Sequence, residues 1–325
     1  MLGFVVRRLV ASAIVLVVSS VLIYFTVTSF GDPLADLRAR NPPVSQEVID
    51  ARRAELGLDE PVHERYLTWL GDVVTGDFGE DLDGQPVNEV LWRRLGRTLR
   101  MVTAAIALSL VAAVAVGVLS ATRQYSKTDY FFTFSGFLFL SMPVFWLGAL
   151  LKEFLAVRFN DLVGRRIVFT TGSESPRLDT DVWGRMADYA GHLILPTLAL
   201  GAVSYAAWSR YQRNSMLDVM ESDYIKLARA KGASRSRVVF RHGLRNALIP
   251  LTTVVAIDFG AVFGGAIITE QVFGWSAMGS LLIDGLREYD VNIVLAWMMV
   301  TGAIAIAFNL VADLLYGVLD PRIRQ

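Results

Sequence analysis

The stretch from Ser222 to Pro250 holds the residues best suited to mechanical work on a partner. Ser222 and Asp223 are helix-starting types, since a short side-chain oxygen can accept from the free N–H groups of a first turn. Gly232 suits the left-handed position that ends such a helix. Ser234 or Ser236 can start a second helix, which runs into an apolar stretch at Pro250. On the first helix Tyr224, Leu227, Ala228 and Lys231 fall at i, i+3, i+4 and i+7 and share one face. Ala228 and Ala230 are small enough to let another surface approach the backbone closely, with Arg229 between them. A short helix of this kind, closed by a glycine corner, can seat in a groove and pass on rigid-body force. On the second helix Arg237, Arg241 and Arg245 recur every four residues. Such a basic stripe reads as attraction to anionic lipid heads, worth about 1 kcal/mol per residue.

Other reactive groups are scarce. There is no cysteine, which excludes disulfides, thiolate catalysis and cysteine metal sites. His63, His192 and His242 fall in three separate segments, so no metal site is expected. No Gly-x-x-x-x-Gly-Lys-Ser/Thr phosphate loop occurs, and no Ser/His/Asp cluster or carboxylate pair lies in the apolar runs. Neither an ATPase nor a membrane enzyme is expected. Asp258 stands in the middle of an apolar run, where an ionised carboxylate costs about 3 kcal/mol unless it faces protein or water. It reads either as a group on a solute path or as a helix–helix hydrogen bond. Glu270, at the outer end of the same run, is a candidate for an external mouth. Gly260 and Gly264, extended by Gly265, form a small-residue face for close helix packing, which would also permit sliding. Lys152 and Glu153 are assigned no role.

These residues are positioned by a chain of 325 residues, 54% hydrophobic, whose apolar residues are gathered in long blocks. A bilayer core of about 30 Å needs about 20 apolar residues in a helix. Six runs qualify: Leu9–Phe30, Met101–Thr122, Tyr130–Leu151, Gly191–Ser209, Ala247–Thr269 and Ile293–Ala312. Pro143 and Pro196 predict kinks in the third and fourth. The first run is long and lacks a small-x-small cleavage site, so it reads as a retained anchor rather than a signal peptide. Formal net charge is zero, and only its distribution informs. With the long segment 31–98 set aside, the loops on one side carry 15 Lys and Arg against 6 on the other. The positive-inside rule then places both termini and the loop 210–247 in the cytoplasm.

Residues 31–98 are too long for a plain connector. Val48, Ile49, Arg52 and Leu56 have helical spacing, ended by Gly57; a second amphipathic stretch from Val62 to Val74 ends at Gly76. The segment predicts a small helical cap after a Pro42-Pro43 break, serving as a docking surface or as a lid. Tyr66, Trp69 and Trp92 read as interfacial aromatics. The expected organisation is an anchor helix 1–30, an extracytoplasmic segment 31–98, a five-helix core 99–316 and a cytoplasmic tail 317–325. The fold class is all-α polytopic membrane protein with six transmembrane helices.

Ala228-Arg229-Ala230-Lys231-Gly232 followed by Arg245-Asn246-Ala247-Leu248-Ile249-Pro250 resembles the coupling-loop motif of ATP-binding-cassette (ABC) importer permeases. The general motif opens with Glu-Ala-Ala, whereas Lys226-Leu227-Ala228 stands here, in keeping with the oligopeptide/dipeptide branch. Gly57-Leu58-Asp59-Glu60-Pro61, Gly76-Asp77-Phe78-Gly79, Glu270 through Trp275 and Leu319-Asp320-Pro321-Arg322 are similar to segments of the B-type permease of that branch. The resemblance covers nearly the whole chain. It implies a type I importer permease fold and a heterodimer with a second homologous permease. It also implies two cytoplasmic ATP-binding subunits docked on the coupling loops, and an extracytoplasmic substrate-binding protein. ATP and Mg would be bound by those partners and no cofactor by this chain, and no nucleic acid is implied. In that scheme Tyr224, Leu227 and Ala228 to Gly232 couple ATP hydrolysis to uptake of peptides; relatives of the branch also carry nickel or sugars. The alternative is a secondary transporter or channel, for which no inverted repeat is visible.

Overall fold

The computed structural model describes residues 2–39, 44–176 and 180–319. The Pro42-Pro43 break and the Asp320-Pro321-Arg322 signature lie outside them. The described residues are helical apart from turns and one isolated bridge, Glu80 with Pro86. Five helices are long and apolar enough to cross a membrane, or six if one bent pair counts as a single span. The chain divides into two compact units, Met1–Arg97 with Ser276–Ile306, and Thr98–Trp275 with Ala307–Gln325.

The first unit contains α1 (Leu2–Phe30), α2 (Ala35–Ala39), α3 (Gln46–Glu55) and α4 (Val62–Thr75). It also holds the start of α5 (Val87–Thr122), and α12 (Met278–Glu288) with the start of α13 (Val291–Leu319). The two cap helices expected from the sequence are α3 and α4, and α4 stops at left-handed Gly76. Helix α5 runs unbroken through the boundary expected at residue 98. Tyr66 and Trp69 are core residues rather than interfacial ones. They pack with Tyr24 of α1 and Leu295 of α13, and the Tyr66 hydroxyl pairs with Ser20 Oγ at 2.9 Å. The amphipathic pattern of α4 faces a protein surface here, so its aromatics are covered; only Trp92 stays exposed. Asp290 stitches the loop before α5 to the α12–α13 corner, accepting from the Leu82 N–H at 2.8 Å and the Ile293 N–H at 3.0 Å. Burial raises its carboxyl above the usual range, and the nearby Asp81 charge adds to this.

The second unit holds the rest of α5, then α6 (Lys127–Ser141) and α7 (Val144–Leu151). A π-helical turn, Lys152–Val157, leads into α8 (Arg158–Val163). It continues with α9 (Val182–Met220), α10 (Asp223–Ala230), a second π-helical segment, Arg237–Leu244, and α11 (Arg245–Phe273). The expected third span is a sharper feature than a kink: α6 and the helix after it meet at 111°. Met142, preceding Pro143, is extended at φ −86° and ψ 126°, because the proline ring disfavours a helical residue before it. Pro196 sits inside a helix that continues through it. Helix α9 is the hub, packed against α6, α7 and α11. Ala113 of α5, Trp208 of α9 and Leu251 of α11 form one core cluster. Along the α5–α9 seam a Cβ on Gly117 would stand 2.6 Å from Gln212 Cβ, and one on Gly201 2.6 Å from Ser109 Oγ. These glycines exist to let backbones approach.

Candidate functional site

The corner from α9 to α11 builds the element that the sequence singled out. Helix α9 ends at Met220 and α10 starts at Asp223, as expected, but the Ser222 side chain does not cap it; its Oγ donates to the Val219 carbonyl at 2.6 Å. At the other end the N–H of Gly232 bonds the Arg229 carbonyl and that of Ala233 the Ala228 carbonyl. This is a Schellman closure, and it requires the left-handed residue that Gly232 provides at φ +79°. A Cβ on Gly232 would meet nothing within 4 Å, so the glycine is needed for its torsion and not for space.

Helix α10 is anchored underneath and bare on top. Ile225 is fully buried, while Tyr224 and Leu227 are 44% and 55% exposed. Arg229, Ala230, Lys231 and Gly232 are exposed and Ala228 partly so. Asn246 at the foot of α11 donates to the Tyr224 hydroxyl at 2.9 Å, tying α10 to that helix. The π-helical segment presses Val238, Val239 and Gly243 inward, with Val239 in a cluster that includes Met216 of α9 and Val118 of α5. Its arginines, Arg237 and Arg241, and Arg245 after them, are exposed together. The corner is thus packed directly against α9 and α11.

Partners far apart in sequence fix the same end of the unit. Arg213 of α9 donates two hydrogen bonds, each 2.8 Å, to the two oxygens of Asp129 at the start of α6. Asp129 also accepts from the Tyr125 N–H, so the α5–α6 turn is clamped to α9. Sequence reading missed this pair and the Ser126 cap beside it, since nothing marks a carboxylate as the partner of an arginine 84 residues away. Lys152, given no role, donates to the Val272 carbonyl at 2.6 Å.

Within the apolar runs, Asp258 is half-buried and its Oδ2 accepts from Trp208 Nε1 at 2.7 Å. The helix–helix hydrogen bond weighed for it is present. Glu270 is 1% exposed and accepts from Thr98 Oγ1 at 2.5 Å, which joins α11 to α5. Gly264 and Gly265 are exposed, with nothing of the described chain within 4 Å of where a Cβ would stand; Gly260 is half-buried. Among the described residues none packs on Gly264 or Gly265. No group of three or more potential metal ligands occurs among the described residues.

A bundle with five or six candidate membrane spans, and a short helix buried on one side and bare on the other, is the architecture expected of a membrane permease. Comparison with known proteins agrees. The family described as "Binding-protein-dependent transport system inner membrane component" matches residues 113–325, and its N-terminal counterpart matches residues 1–99. The oligopeptide transport system permease protein OppB of Mycobacterium tuberculosis is 41% identical over 324 residues, spanning 100% of this chain and 99% of that one. The dipeptide transport system permease protein DppB of Escherichia coli is 36% identical over 339 residues, spanning 100% and 99%. A chain of the MetNI methionine ABC transporter, solved in inward facing conformations, superposes with a TM-score of 0.56 at 17% identity, over 71% of this chain and 96% of that one. The chain belongs to the binding-protein-dependent transport system inner membrane component family. It is a non-enzymatic permease subunit of an ABC importer, embedded in the inner membrane by several spans.

Proposed function

We propose that this permease carries peptides, with both termini and the α10 corner in the cytoplasm. The relatives named for oligopeptide and dipeptide transport match over essentially the whole chain, which favours peptides over nickel or sugars. A second homologous permease completes the pathway, two ATP-binding subunits supply ATP and Mg, and an extracytoplasmic binding protein delivers the substrate. The exposed face of α10 carries this reading. Tyr224 and Leu227 are bare apolar side chains on a helix whose other side is buried, and Ala228 to Gly232 offer small and basic contacts for an ATPase groove. Asp258 is assigned to the pathway wall, held in orientation by Trp208. Gly260, Gly264 and Gly265 are assigned to contact with the second permease.

The absence of native cysteine makes the docking test clean. A single Ala230→Cys in the assembled transporter is expected to cross-link to an ATP-binding subunit, and uptake of a peptide is expected to require ATP and that subunit. Cross-links confined to lipid or to the chain itself, or gradient-driven uptake by the chain alone, would falsify the assignment.

A further inference from the structure

A groove of about 590 Å³ runs along the same corner, between the end of α5 and the π-helical segment before α11. Its floor is apolar: Val114, Val118 and Leu119 from one side, Val239, Phe240 and Leu244 from the other. Its far end is polar and cationic, formed by Thr122, Arg123, Arg235 and Ser236, and no carboxylate lines it. Arg123 and Arg235 are exposed, and Arg235 is steadied by donating to the Thr122 carbonyl at 3.1 Å, which leaves most of its five N–H groups for another acceptor. Phe240, 61% exposed, stands at the rim.

We infer that this groove is a binding site for one anionic phospholipid. The acyl chains lie along the floor, and the phosphate is held at Arg123 and Arg235. In a bilayer any apolar surface collects acyl chains, so the floor alone selects nothing. Selection comes from the headgroup, and two guanidinium groups, that of Arg235 steadied at Thr122, with no carboxylate among the described lining residues, favour an anion. Arginine suits the task because its planar fork binds phosphate oxygens in pairs. An apolar helix of another protein would fill the floor but leave these cations uncompensated. The site adjoins the coupling corner, and its leaflet follows from the orientation proposed above. The lipid preference itself does not depend on that orientation.

The test uses the assembled transporter in nanodiscs with the same lipids in both leaflets, so it needs neither ATP nor substrate. Failure of the transport reading and failure of the lipid site are thereby separate results. A fluorophore on Ala115→Cys, at the exposed wall of the groove, is quenched by brominated phosphatidylglycerol or brominated phosphatidylcholine. The site predicts a preference for phosphatidylglycerol of about fivefold or more per arginine. Arg123→Gln and Arg235→Gln each remove about that factor while phosphatidylcholine still quenches, which shows that the fold survives. Arg241→Gln, on the exposed stripe outside the groove, lowers the preference clearly less than either groove variant. Equal quenching by the two lipids overturns the proposal. So does an equal loss in Arg241→Gln, which would mean diffuse surface attraction only. Absence of quenching by either lipid also overturns it, since a second protein chain then covers the groove.

Discussion

Gly117 on α5 and Gly264 on α11 are the same residue in two long apolar helices, and their surroundings are opposite. A methyl group at Gly117 would collide with Gln212 Cβ at 2.6 Å and press on the Arg213 backbone nitrogen at 3.0 Å; one at Gly264 would meet nothing within 4 Å. The helices differ in the same sense. A third of the most apolar window of α5 is buried, 33%, against 17% for the helix that contains α11. Small residues permit close approach without saying what approaches. On α5 the approach has been made by α9 of the same chain, whereas on α11 no described residue approaches Gly264 or Gly265. Gly232 is a third case, with open space around it but a torsion that only glycine adopts cheaply.

The largest effect is expected where the contact is already closed. Gly117→Ala forces either Gln212 or the α9 backbone to move, and neither is a flexible side-chain end. Overpacking of this kind costs about 1–3 kcal/mol, and here it also disturbs Arg213, whose paired bonds to Asp129 hold the α5–α6 turn. The matched Gly264→Ala is expected to be neutral for the folding of the chain, since exposed sites rarely shift stability by more than about 0.5 kcal/mol. Thermal melts in detergent followed by size-exclusion should show a clear drop for the first and none for the second. Equal melting would mean that the α5–α9 seam is looser than its distances indicate.

Gly232→Val comes next, and its effect should be local. A β-branched residue held at φ +79° costs about 1–3 kcal/mol, enough to shift or fray the Schellman closure but not to unfold a bundle anchored by Ile225 and Val239. Membrane insertion and melting are expected to stay near those of the parent. ATP hydrolysis is expected to persist while uptake per ATP falls. Normal uptake would mean that the closure, and with it the orientation of Tyr224 and Leu227, is not what the partner reads.

Legibility in the sequence followed locality. The α10 corner was readable because its signals lie within ten residues of one another: a Ser-Asp start, an i, i+3, i+4 face and a glycine stop. The two cap helices were readable for the same reason, through Gly57 and Gly76. The apolar runs located five spanning helices and the bent pair that would make a sixth, but Pro143 turned a kink into a break because the residue before it was also driven out of the helix. Contacts between distant segments were not legible in this way: Asp129 with Arg213 and Asp290 with the Leu82 N–H left no trace, and a hydrogen bond was weighed for Asp258 without Trp208 being named as its partner. The glycine face was found on α11 because Gly260 and Gly264 are four apart on one helix. The seam actually closed within the chain uses single glycines on two helices, Gly117 and Gly201, which no one-helix pattern can reveal.

The smallest effect on the chain should become a large one in the assembly, and that reversal is the sharpest use of the comparison. Gly264→Leu adds an apolar side chain to an exposed position on a membrane helix, so the isolated chain should insert and melt as the parent does. If the bare face meets the second permease, the same leucine holds two backbones apart that otherwise touch. Co-purification of the two permeases should weaken, or uptake should fall with the pair intact if the face slides during transport. Gly71 of α4, where a Cβ would likewise meet nothing within 4 Å, offers a control glycine on another helix. Parent-like assembly together with parent-like uptake in Gly264→Leu would show that the face looks onto lipid, and that an open glycine here is no marker of a missing neighbour.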